Sequence, residues 1–189
     1  MPKIGAEAVR KAQLIEAAIR SVGRSGSLDV TVAQIAREAG MSSALAHHYF
    51  GSKTQIFLAA MRQILTNYRD AVRQGLQGCE TPAARLEAIV EASFARPNFD
   101  RETVAAWMNF YALALIEPEA ARLLAVYHRR IHSNLVFNLR PLVGDRSENV
   151  AETLASLIDG VYLRTALSRN PAGPNAAAIV RGYLRDIAI

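Results

Sequence analysis

Cysteine is almost absent. The 189 residues hold one, Cys79, so no disulfide can form within the chain. A reducing, cytoplasmic setting is expected. Cys79 sits between Gly78 and Glu80 in a predicted loop and reads as incidental. Long apolar runs are missing too. The longest, Val104 to Ile116, is broken by Asn109 and is too short to cross a bilayer. The N-terminus lacks the apolar core of a secretion signal. Seven prolines and few β-branched runs favour helix throughout. The chain has no phosphate-cradling glycine loop, no nucleophile with an evident base and no catalytic constellation, so an enzyme is not expected. His128 and His132 are four apart, a spacing that can hold a metal on a helix, but no third ligand is evident. Solvated or interface histidines fit better, and no metal or cofactor is expected.

What is present can bury a core, since 51% of the residues are hydrophobic. The net charge is +5 and is unevenly spread. Residues 1–53 hold seven Lys and Arg against four Asp and Glu; the remainder holds fifteen against thirteen. A basic first quarter suits an end that faces nucleic acid.

That quarter contains the stretch TVAQIAREAGMSSALAHHYFGSK, Thr31 to Lys53. Thr31 and Gln34 are spaced as a capping box. Val32, Ile35, Ala36 and Ala39 make one apolar helical face. Gly40 stands where a left-handed residue ends a helix, and Met41 plugs the turn. Ser42 is placed to cap a second helix running to about Phe50. Ala46 and Phe50 can face inward there. Ser43, Ala44, Leu45, His47, His48 and Tyr49 leave the rest small or hydrogen-bonding, with no acidic residue from Ser42 to Phe50. A helix lying against DNA needs close approach, donors and no carboxylates. The pattern predicts a helix-turn-helix over 31–50, its second helix the reader.

Around it the chain predicts an all-α fold of about nine helices. Residues 1–5 form a short basic tail. Glu7 to Arg24 carry the stripe Leu14, Ile15, Ala18, Ile19 and Val22, ended by Gly23, Ser25 and Gly26. A long helix starts at Gly51 or Ser52 and ends near Gly75 to Gly78. Thr81-Pro82 opens another, which stops at Arg96-Pro97. Residues 98–116 hold the most apolar helix, including Leu115 and Ile116. The next begins at Pro118 and is expected to end before Pro141. A helix from Val150 to about Ser168, a loop over Asn170 to Pro174 and a last helix over Ile179 to Ile187 complete the chain. Functional domains are expected at 8–68, a three-helix head that binds DNA, and at 69–189, a body for ligand and dimerisation.

The stretch Thr31 to Lys53 resembles the DNA-binding signature of the TetR family of repressors. The matching positions are Thr31, Ile35-Ala36, Ala39-Gly40, Met41, Ser42, Tyr49-Phe50 and Lys53, without a gap. Where Ala44 stands the family often has Gly, and where His47 stands it often has Tyr. Carried over by position, Ser42, Ser43, Ala44, Leu45, His47 and His48 are implied to face bases or the groove. Thr31, Tyr49 and Lys53 are implied to contact phosphate. The family also implies a homodimer on operator DNA, and a seam of Leu154, Leu157, Ile158, Val161 and Ile179 is expected on the last two long helices. Within the family, the segments MPKIG, HHYF, AWMNFYALAL, RRIHSNLVFNLR and LIDGVYLRTALS resemble the choline-responsive repressors of glycine betaine synthesis. One departure is Ile116-Glu117, where those repressors commonly have Met-His.

That resemblance implies a small cationic effector, choline or a relative. A quaternary ammonium lacks N–H donors and is held by aromatic faces, best with a carboxylate near. Trp107, Phe110, Tyr111, Tyr127 and Tyr162 are the aromatic candidates, and Glu117 and Asp159 the anions. Trp107 and Tyr111, four apart, should stack on one helix face. Plain core packing is the alternative for each aromatic. Two other readings stay open: a TetR-type repressor of a multidrug efflux gene that responds to cationic compounds, and an all-helical enzyme with a structural head.

Overall fold

Residues 5–168 and 173–187 are described in the computed structural model. Most of the basic tail over 1–5, and residues 170–172 of the expected loop, lie outside them. Nine α-helices follow in order among the described residues: α1 Ala6–Ser25, α2 Val32–Glu38, α3 Ser43–Phe50, α4 Lys53–Gly75, α5 Pro82–Ser93, α6 Arg101–Ala114, α7 Pro118–Val143, α8 Ser147–Ala166 and α9 Gly173–Ile187. Short 3-10 turns stand at Arg96–Phe99 and Gly144–Arg146. No strand occurs among the described residues. The fold is all-α, as expected.

The chain forms two compact units, Met1–Leu65 with Asp100–Leu124, and Thr66–Phe99 with Ala125–Ile189. In the first unit the core joins α1, α2, α3 and the start of α4. Leu14, Ala17 and Ala18 of α1 meet Ile35 and Ala36 of α2, Ala46 of α3 and Ile56 of α4. Leu14 and Ile35 are fully buried, each contributing about 2 kcal/mol. The alanines let short helices approach closely. α6 belongs here and packs along α1.

That packing corrects the expected end of α1. The helix runs through Gly23 to Ser25. Gly26, at φ 69°, turns the chain off, and its N–H donates to the Val22 carbonyl at 2.8 Å. Gly23 is instead a contact point: a Cβ there would lie 2.5 Å from Cα of Glu102. Only hydrogen fits between those two helices.

In the second unit α5, α7, α8 and α9 enclose Leu86, Ile89, Leu135, Leu154, Ile158 and Val180. Thr81 caps α5 by accepting the Ala84 N–H at 3.2 Å, with Pro82 in the first turn. α9 is already helical at Gly173, ahead of the expected start at Ile179. α7 also passes the proline expected to end it and reaches Val143. Pro141 sits near the C-terminal end, where a missing N–H costs one bond and no further turns depend on it. The corner before α7 differs as well. α6 stops at Ala114, and Leu115 and Ile116 are 86% and 82% exposed. Pro118 disfavours a helical Glu117, so the chain must leave the helix just before it. The N–H groups of Ile116 and Glu117 fold back on the Leu113 carbonyl.

Gly23→Ala should lower stability by about 1–3 kcal/mol, because backbone and not a flexible tip stands in the way. At Gly75 an added Cβ meets nothing closer than 3.6 Å, so Gly75→Ala should leave stability unchanged or slightly raised. Urea midpoints of the two variants test the contrast.

Candidate functional site

Local chemistry builds the helix-turn-helix. The Thr31 hydroxyl accepts the Gln34 N–H at 3.2 Å, and the Gln34 side chain accepts the Thr31 N–H at 2.7 Å. Both halves of the capping box are therefore made. Gly40, at φ 67°, reverses the chain after α2, and the Met41 N–H donates to the Ala36 carbonyl at 2.8 Å. Ser42 then caps α3, accepting the Leu45 N–H at 3.2 Å. On α3 only Ala46 is buried. Ser42, Ala44, His47 and His48 are exposed, as are Thr31 and Lys53. Ser43 and Leu45 are half-buried, and Tyr49 is half-buried against the core of the unit.

Two of these side chains have defined partners. His47 Nδ1 lies 3.2 Å from the Gly51 carbonyl. A carbonyl only accepts, so this contact selects the proton on Nδ1 and leaves Nε2 of the neutral ring as an acceptor. Lys53 donates from Nζ to the Leu28 carbonyl at 3.1 Å and lies 5.8 Å from the Phe57 ring centre. An ammonium has three N–H donors, so two remain for other acceptors.

Behind this face lies a cluster that sequence reasoning missed. Glu38, the last residue of α2, accepts from the Ser21 hydroxyl at 2.7 Å and from Arg20 Nε at 3.0 Å, and pairs with Arg24. Its side chain is 15% exposed. Burial pushes the Glu38 carboxyl up, but Ser21, Arg20 and Arg24 together outweigh it and hold the group below its ordinary value. The only sequence signal is Arg20 and Arg24 one turn apart on α1.

The expected effector residues divide between the units. Trp107, Phe110, Tyr111 and Glu117 belong to the first, and Tyr127, Asp159 and Tyr162 to the second. Trp107 and Tyr111 stack with ring centres 5.7 Å apart, as their spacing predicts. Phe110 is 1% exposed and Trp107 is buried. The space left beside Phe110, Phe57 and Val22 is about 20 Å³, enough for one water and no ligand. Phe110 is core in that unit. Glu117 accepts the Glu119 N–H at 3.3 Å and so caps the start of α7.

In the second unit Tyr127 meets an aromatic not counted among the candidates. Tyr68 of α4 stands edge-on to it, centres 5.7 Å apart, and shares a 2.9 Å hydrogen bond with the Ser93 hydroxyl. Its position on the buried side of a long helix gives no functional signal. Asp159 lies 3.8 Å from His128 Nε2. Burial holds the Asp159 carboxyl above its usual value, against the opposing charge of His128. Burial also pushes the Tyr68 phenol up to about 12; the Ser93 hydrogen bond opposes this and the Asp159 charge adds to it. The Asp159 side chain is 40% exposed, and its charge bears on the Tyr68 phenol. Tyr162 packs on Phe99, centres 5.2 Å apart, and donates to the Asn98 carbonyl at 2.8 Å.

The expected dimer seam needs correcting. Leu154, Ile158 and Val161 are buried in the core of their own unit, so they have no surface left for a partner. Leu157 is half-buried and Ile179 is 51% exposed. His132 pairs with Glu148 and Glu152 at 3.7 and 3.9 Å. Among the described residues no group of three His, Cys, Asp or Glu could hold a metal. Cys79 donates to the Gly75 carbonyl at 3.3 Å. No helix among the described residues is long and apolar enough to cross a membrane.

Comparison with known proteins agrees with this geometry. Residues 14–60 match the tetR family of bacterial regulatory proteins, and residues 82–188 match the C-terminal region of BetI-type transcriptional repressors. The HTH-type transcriptional regulator BetI of Brucella anthropi is 47% identical over 186 residues, which is 97% of this chain and 96% of that protein. The one from Rhizobium meliloti is 44% identical over 97% of this chain and 92% of its own length. A transcriptional regulator from Saccharomonospora viridis, solved in complex with choline, superposes with a TM-score of 0.83 over 94% of this chain and 96% of its own. At 22% identity that likeness speaks for the fold.

The Glu38 cluster makes a prediction about acid. A carboxyl whose folded value is depressed below 4.5 adds stability above its unfolded value and loses it as pH falls through the folded one. Glu38→Gln should cost about 2 kcal/mol near pH 7. The difference from the parent should shrink as the pH falls below about 4.5. Thermal melts from pH 7 to pH 3 check both.

Proposed function

We propose, from the premise that the chain belongs to the TetR family of bacterial transcriptional regulators with a BetI-type C-terminal region, that it represses the genes of choline-to-glycine-betaine synthesis and that choline or a related quaternary ammonium weakens its hold on operator DNA. The family is one of DNA-binding regulators, not of enzymes. One observation carries the effector reading: Asp159 is a partly exposed carboxylate, open to a positive charge, and its own charge bears on Tyr68, which stands edge-on to Tyr127. A quaternary ammonium supplies that charge without asking for an acceptor, and aromatic faces suit its methyl groups. Tyr68, Tyr127 and Asp159 are the residues we assign to it, with Tyr162 behind them. Glu117 is less suited, because it caps α7, and Phe110 is closed in.

Exposure supports the DNA assignment. Ser42, Ala44, His47 and His48 would meet bases or the groove, with Ser43 and Leu45 at its edge. Thr31, Tyr49 and Lys53 would meet phosphates. We keep 8–68 as the operator-binding part and 69–189 as the effector and dimer part, although α6 packs with α1. The seam we propose is the outer face of α8 and α9. Gly160 is exposed and has no heavy atom within 4 Å of where a Cβ would stand, and Leu163 and Ile179 are 41% and 51% exposed. A homodimer built there would set two α3 helices in successive major grooves, about 34–36 Å apart. A cytoplasmic setting fits this role.

Purified protein should bind the DNA upstream of its own gene, and millimolar choline should weaken that binding. Tyr127→Ala should raise the choline concentration needed by roughly 2- to 30-fold, the value of one aromatic face. Asp159→Asn should raise it too, with DNA binding unchanged when choline is absent. Binding that ignores choline and betaine aldehyde alike would sink the effector reading and leave the family intact. On the DNA side, Tyr49→Phe should weaken all sequences alike, whereas His47→Ala should change which base pairs are preferred. Competition assays against single-base operator variants separate the two.

A further inference from the structure

We propose that Lys11 of α1 joins Tyr49 of α3 in a phosphate-binding site that extends beyond the helix-turn-helix, and that Glu7 restrains Lys11 until DNA displaces it. The inference rests on α3 being the DNA-reading helix. Lys11 lies twenty residues before the signature begins, so nothing in the motif points to it. Its Nζ stands 5.9 Å from the centre of the Tyr49 ring. The same ammonium is 2.8 Å from Glu7 Oε1, one turn earlier on α1. His48 flanks the site, its ring 5.5 Å from that of Tyr49.

Three features make this more than a helix-surface ion pair. First, Lys11 lies over the ring of a residue implied to contact phosphate. Second, the ammonium has donors to spare beyond the one Glu7 takes. Third, Glu7 and Lys11 are 61% and 40% exposed, so their pairing is weak and screened and is easily exchanged. The Lys11 hydrogen bond together with its charge holds the Glu7 carboxyl below its ordinary value, and the charge of His48 adds to this. A phosphate and Glu7 therefore compete for one cation.

The test is DNA binding by the full chain across about 0.05–0.3 M salt, on the DNA upstream of its own gene and on an unrelated duplex. Lys11→Gln should weaken both about eightfold near 0.1 M salt and reduce the slope of log K against log salt by about 0.9, one phosphate contact. Glu7→Gln should tighten both, and that gain should vanish in the double variant. An unchanged slope in Lys11→Gln overturns the proposal. So does a failure of Glu7→Gln to tighten binding, or a gain that persists without Lys11. Tyr49→Phe runs alongside. If it weakens binding while Lys11→Gln does not, only this inference falls. If neither has any effect, the assignment of α3 as reader falls with it. Coincident thermal melts of all variants exclude a folding effect.

Discussion

One partly buried carboxylate governs how the proposed reading helix is held. α2 has seven residues and α3 eight, too short to stand alone in water. Their placement must come from packing on α1 and α4. Leu14, Ile35 and Ala46 supply the apolar part, but alanine-rich contacts are smooth and slide. Glu38 adds direction. It is bonded at once to Ser21, Arg20 and Arg24 on α1, so the end of α2 is pinned where Gly40 and Met41 begin the turn into α3. The contact of Gly23 with Glu102 brings α6 against the C-terminal end of α1.

Two carboxylates mark the opposite outcomes of burial. Burial alone raises a carboxyl, since water no longer solvates the charge. Glu38 meets two guanidinium groups and a hydroxyl, and ends below its ordinary value. Asp159 meets one imidazole at 3.8 Å and stays above. The first arrangement is complete and needs no ligand; it is structural. The second has one partner and a side chain still 40% exposed, which is the arrangement the proposed cation site would use. This contrast, and not the number of aromatics, supports the proposed ligand assignment.

How far the sequence speaks depends on the range of the forces involved. The caps at Thr31, Ser42 and Thr81 and the turn at Gly40 are legible because each is decided within four residues. The all-α fold is legible from periodicity. Gly23 misleads because a glycine near a helix end and a glycine under a neighbouring helix look alike until the neighbour is placed. Pro141 misleads because a proline's cost depends on how much helix lies beyond it. The dimer seam fails for a related reason. Leu154, Ile158 and Val161 give α8 its strongest apolar stripe, and that stripe turns into its own core. The other face carries Ser156 and Gly160, whose small size gives no hydrophobic signal. Trp107 and Phe110 show the same limit: aromatic content does not say which way a ring faces.

The proposed coupling between ligand and DNA runs along one helix. α4 carries Lys53 at its first residue and Tyr68 fifteen positions on, about 22 Å at 1.5 Å per residue. Lys53 is held by the Leu28 carbonyl and the Phe57 ring, contacts weak enough to change register. The size of the effect is bounded. A ligand moves the equilibrium only by the difference in its affinity for the two states. Two aromatic faces and a carboxylate provide at most a few kcal/mol of such difference, enough for a shift of one or two orders of magnitude in operator affinity. On the proposed reading, ligand would weaken the grip on DNA by that factor and would not supply an all-or-none release.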